Sequence, residues 1–114
     1  MNQNKLDFWN LCNELITDTF RLSEKFPHAE VFDISALLRK ASVSIIINLA
    51  EGITRKLKIE RKKFFIICRA FLVEIDAQIK IGLKLKYVVQ SDISDIVKKL
   101  NNLIAKMTKL ILNT

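Results

Sequence analysis

Apolar residues recur at steps of three and four along most of this chain, the spacing that lines one side of an α-helix. Between Leu6 and about Lys25 they are Phe8, Trp9, Leu11, Cys12, Leu15, Ile16 and Phe20, with Asn10, Asn13, Glu14 and Asp18 among them. An amphipathic helix is predicted there. Phe26-Pro27-His28 ends it, because proline disfavours helix in the residue before it. Asp33 suits the N-cap of a second helix, from Ile34 to about Thr54, with Ile34, Leu37, Leu38, Ala41, Ile45 and Leu49 as its inner stripe. A third helix is predicted from about Lys58 to Leu85, with one stripe through Phe64, Cys68, Phe71, Ile75 and Ile79. Ser91 or Asp92 caps a fourth, to about Leu112, which carries Ile93, Ile96, Val97, Leu100, Leu103, Ile104, Met107, Leu110 and Ile111 on a single face. Four helices of about 20 residues with short connections read as an all-α fold, an antiparallel up-down-up-down four-helix bundle. One domain is expected over residues 1–114.

The second and third helices carry more apolar residues than one face can hold. Val43, Ile46, Ile47 and Ala50 form another stripe on the second, and Ile66, Ala70, Val73, Ala77 and Ile81 another on the third. A helix that is apolar on two sides needs two sets of neighbours. The chain's own core supplies one set, and a second copy of the chain supplies the other most simply. A homo-oligomer is therefore expected, with Val43, Ile46, Ile47, Ala50, Ile66 and Val73 at the interface between copies. Ser44, Asn48, Glu51 and Arg55 follow at steps of four, three and four, a polar seam that burial would require to be hydrogen-bonded.

Charge changes the picture further. The formal balance is +7, but residues 1–51 carry five Lys/Arg against seven Asp/Glu, whereas residues 52–114 carry fourteen against five. Regional excess of this kind favours an acidic partner, nucleic acid first and an anionic membrane surface second. Its densest part is Arg55-Lys56-Leu57-Lys58-Ile59-Glu60-Arg61-Lys62-Lys63, six cations and one carboxylate in nine residues. Arg55, Lys56, Lys58, Arg61, Lys62 and Lys63 are the candidate nucleic-acid contacts, able to track an RNA or DNA phosphate backbone by counterion release. With no aromatic residue between them, base stacking is not supported there.

The longest apolar run, Phe64 to Val73, is ten residues interrupted by Arg69, well short of the roughly 20 that span a bilayer. No membrane partner is expected. Cys12 and Cys68 lie in helical apolar patterns without metal-ligand spacing, so buried free thiols in a reducing cytoplasm are expected. The first residues lack the apolar segment of a signal peptide, which fits the same location. His28 is the one histidine, beside Pro27 in a connection, where a solvated ring is expected. No Gly-rich phosphate loop and no Glu-x-x-His pair is present, so no catalytic residue, metal or cofactor is assigned. Glu74 and Asp76 are read as ion-pairing groups rather than a general acid and base.

The central helix then acquires a family likeness. Leu37-Leu38-Arg39-Lys40-Ala41-Ser42-Val43-Ser44-Ile45-Ile46-Ile47-Asn48-Leu49-Ala50-Glu51-Gly52, followed by Arg55, resembles the signature of the proteins encoded in intervening sequences of bacterial 23S ribosomal RNA genes, often labelled S23 ribosomal protein. Phe26-Pro27 with Glu30 and Phe32 is similar to the family's first turn. Glu60 with Phe64-Phe65 is similar to the start of its third helix, Leu72-Val73-Glu74-Ile75 to the acidic segment within it, and Tyr87 to the aromatic that follows. The resemblance implies a four-helix bundle assembling as a homopentamer, and the number five comes from the resemblance alone. Two functional expectations follow: a non-enzymatic oligomer that binds RNA through the basic segment, or a scaffold that docks a protein partner and binds no nucleic acid.

Overall fold

A computed structural model of the chain describes residues 2–29 and 33–114, and these form four helices. They are α1 (Gln3–Ser23), α2 (Ile34–Thr54), α3 (Lys58–Lys84) and α4 (Gln90–Leu112). Glu30 and Phe32, part of the resemblance above, lie outside the described residues. Each helix packs on its neighbours in chain order and α1 closes onto α4, while the diagonal pairs stay apart. The result is the expected antiparallel four-helix bundle, 43 × 27 × 19 Å.

The helix ends follow local hydrogen bonding. α1 begins earlier than Leu6 because the side chain of Asn2 accepts from the Lys5 N–H at 2.9 Å. It ends at Ser23, short of Lys25, where the chain turns under Phe26. Asp33 caps α2 as expected, its carboxylate accepting from the Ala36 N–H at 3.1 Å. At α4 the N-cap is Val89, not Ser91 or Asp92. Asp92 instead sits in the first turn and reaches back to accept from the Val89 N–H at 2.9 Å, the return half of a capping box.

The core runs through Cys12 and Leu15 of α1, Leu38, Ile45 and Leu49 of α2, Phe65, Leu72, Ile75 and Ile79 of α3, and Leu100, Leu103 and Met107 of α4. On α3 Cys68, Ile75 and Ile79 are buried as expected, but two positions of the stripe move by one residue. Phe65 and Leu72 are buried, while Phe64 and Phe71 sit at the half-buried margin. On α2, Leu37 faces outward at 36 % exposure rather than joining Leu38 inside.

Both glycines permit close approach. A Cβ on Gly52 would stand 2.6 Å from the Phe65 ring, and one on Gly82 would stand 2.3 Å from the Phe26 ring. Phe26 also meets Tyr87 edge-on, ring centroids 5.7 Å apart, so the two connections at that end of the bundle are sealed against each other.

Candidate nucleic-acid interface

The basic segment occupies the corner between α2 and α3, where residues 55–57 are all that separates the two helices. Arg61, in the first turn of α3, sends its guanidinium back to the carbonyl oxygens of Arg55 (3.1 Å) and Lys56 (2.6 Å). Those carbonyls lie outside either helical ladder, and the guanidinium satisfies them. Arg55 is engaged as well: it pairs with Glu51 at 2.7 Å and lies 5.1 Å from the centroid of the Phe64 ring. Two of the six predicted contacts therefore fasten the corner itself. Lys56, Lys58, Lys62 and Lys63 are exposed and make no ion pair among the described residues.

The corner also projects. Arg69 Nε donates to Thr108 Oγ1 at 2.8 Å, which sets the level of α3 against α4. From Arg69, α3 continues eleven residues to Lys58, whereas α4 continues only four from Thr108 to Leu112. At 1.5 Å per residue the α2–α3 tip overhangs the last turn of α4 by about 10 Å. Leu57 and Ile59 at the tip are 60 % and 67 % exposed.

The predicted seam exists on α2 but is not buried in the single chain. Ser44 donates to the Lys40 carbonyl (2.9 Å), Asn48 to the Ser44 carbonyl (2.8 Å), and Glu51 pairs with Arg55, each within its own helix. The residues expected between copies occupy surface or margin positions: Val43, Ile47, Ile66 and Val73 are exposed, Ala50 is half-buried, and Ile46 packs against the chain's own core. Ile81 extends the exposed stripe of α3.

Of the cations elsewhere, three make ion pairs among the described residues. Lys25 pairs with Asp92 at 2.7 Å, Lys99 with Asp18 and Glu14 between α1 and α4, and Lys80 with Asp76 at 2.7 Å along α3. Asp76 thus takes the ion-pairing role expected of it, and Glu74 accepts from Gln78. Lys106 and Lys109 of α4 are exposed near the same end as the tip, beside Asn4 of α1. Nothing in the sequence links these two to the basic segment, since only the antiparallel packing carries the end of α4 toward the α2–α3 corner.

Among the described residues, groups with catalytic side chains do not converge. His28 is 72 % exposed, and both Asp33 (3.3 Å) and Ser35 (3.2 Å) lie against the same ring nitrogen, Nδ1. A nucleophile relay needs the hydroxyl and the carboxylate on opposite nitrogens. Hydrogen bonds from Ser35, from the Ala36 N–H and from His28 hold the Asp33 carboxyl at about 2. Cys12 and Cys68 are free and buried, and burial pushes both thiols up, Cys68 to about 12. They sit on the diagonal helices α1 and α3, which do not approach closely enough for a disulfide. Among the described residues no group of three or more His, Cys, Asp or Glu is placed to hold a metal ion, and no helix is long and apolar enough to cross a membrane.

Residues 4–109 match the family described as 23S rRNA-intervening sequence protein. The fold is similar to the crystal structure of a protein with unknown function from the S23 ribosomal protein family of Bacteroides thetaiotaomicron VPI-5482. That similarity has a TM-score of 0.85 at 14 % identity and covers 96 % of this chain and 98 % of the other. No curated protein matches the chain.

Proposed function

The chain belongs to the 23S rRNA-intervening sequence protein family, and from that premise we propose that it is a non-enzymatic, self-associating bundle of the cytoplasm that binds RNA by the phosphate backbone. The observation that carries this reading is the projecting tip with its uncompensated Lys56, Lys58, Lys62 and Lys63. A rigid corner holds these ammonium groups clear of the bundle, where a polyanion meets them without first displacing a carboxylate. Exposed Val43, Ile47, Ile66 and Val73 supply the contact between copies, five of them on the family resemblance. A ring would repeat the tip, and repeated weak phosphate sites gain avidity.

Filter binding of RNA at low and at moderate salt tests the proposal. Binding should be measurable at low salt, fall steeply as salt rises, and weaken when Lys62 and Lys63 are changed to alanine. The same exposed aliphatic residues favour a second reading, a scaffold that docks a protein and owes its lysines to solubility. In that case the lysine changes leave function intact, and changes at Ile47 or Val73 abolish it.

A further inference from the structure

We infer that the tip takes a base-paired RNA duplex in preference to a single strand and reads it without regard to sequence. The inference rests on the RNA-binding reading and follows from which cations are free. A guanidinium can stack on a base or fork onto its edge, while an ammonium is a point charge suited to phosphate oxygen. Both arginines of the segment are already engaged by the chain, Arg61 on the carbonyls of Arg55 and Lys56, Arg55 in a surface pair with Glu51 and against the face of Phe64. Only lysines remain to meet a ligand.

The tip lacks stacking surfaces too. Its other exposed side chains are the aliphatic Leu57 and Ile59, and the nearest ring, Phe64, is half-buried with Arg55 against it. Proteins that hold single strands stack successive bases on aromatic side chains, and this surface has none to offer. What remains is backbone attraction, which is stronger for a duplex because its phosphates are denser and more condensed counterions are released. Lys58 and Lys62 are one helical turn apart, about 6 Å along α3. They can thus engage neighbouring phosphates of one strand. The missing aromatic residues also argue against a bilayer, where Trp, Tyr or Phe would anchor the tip at the interface.

Fluorescence anisotropy with a labelled RNA duplex and a labelled unstructured single strand of equal length decides the matter on the full chain. The duplex should bind roughly tenfold more tightly at low salt, and a duplex of unrelated sequence should bind equally well. The Lys62→Ala/Lys63→Ala variant should reduce the slope of log affinity against log salt by about 2 on the duplex. Lys40→Ala/Lys84→Ala removes the same charge elsewhere on the bundle and should leave the slope unchanged. Circular dichroism confirms that both variants keep their helices. A single strand bound as tightly as the duplex overturns this inference and leaves RNA binding standing. Binding to neither RNA, or binding only to vesicles rich in phosphatidylserine, overturns the RNA reading together with it.

Discussion

Lys86 ends α3 in the left-handed region at φ 64°, a conformation that favours glycine. The turn explains the cost. The N–H of Tyr87 donates to the Gly82 carbonyl (2.9 Å) and that of Lys86 to the Leu83 carbonyl (3.1 Å), the double closure of a Schellman motif. Lys86→Gly should therefore stabilise the protein by about 1 kcal/mol, read as a higher urea midpoint at fixed protein concentration. Gly82 is the opposite case. An alanine there gains helix propensity of about 1 kcal/mol but drives its methyl into the Phe26 ring, and overpacking costs about 1–3 kcal/mol. Phe26 is itself held against Tyr87, so the ring has little room, and Gly82→Ala should lower stability by up to about 2 kcal/mol on the same assay. The sequence displayed Gly82 plainly but not what it faces, because the partner ring of Phe26 lies in a connection more than fifty residues away.

At the scale of the element, the carboxylates that begin α2 and α4 set the behaviour in acid. Asp33 is held at about 2, and Asp92 is lowered by its hydrogen bond from Lys25 and then by the one from the Val89 N–H. Both give up a proton more readily folded than unfolded, so their contribution is complete above the ordinary value of 3.8 and is lost as pH falls through the folded values. Urea midpoints measured downward from neutral pH should hold steady and then drop between about pH 4 and pH 2. Asp92→Asn keeps an acceptor for the Val89 N–H but loses the charge opposite Lys25. It should start from a lower midpoint at neutral pH and show a shallower acid drop. Parallel curves for the two proteins would mean that Asp92 is not a source of the drop. Helix existence and type were legible throughout, and Asp33 was legible as a cap because the residue type and position coincide. On α3, Cys68, Ile75 and Ile79 were legible as core, but Phe65 and Leu72 were not. Phe64 and Phe71 compete with Phe65 and Leu72 for the same side, and the choice depends on where Gly52 lets the neighbouring helix approach. The basic run was legible as charge, yet its division into two fastened arginines and four free lysines depends on a guanidinium folding back across a corner.

The whole molecule turns on apolar surface that one copy leaves uncovered. Periodicity alone announced it on α2 and α3, and the structure leaves Val43, Ile47, Ile66, Val73 and Ile81 between 38 % and 55 % exposed. The overhang of the α2–α3 tip was not legible, since it depends on how far α3 and α4 extend from the Arg69–Thr108 contact. Ile47 gives the clearest test of self-association because it is 55 % exposed in the single chain. On an isolated copy, Ile47→Asp leaves a solvated carboxylate on a helix surface and should change stability by less than about 0.5 kcal/mol. Between copies the same carboxylate enters a dry contact, where an unpaired charge costs several kcal/mol or more. The natural chain should therefore run on size exclusion with light scattering as a multiple of 13.2 kDa. The variant should run as a helical monomer or fall out of solution. A natural chain already at the mass of one copy removes the assembly, and a variant that assembles unchanged places the contact on some face other than that of Ile47.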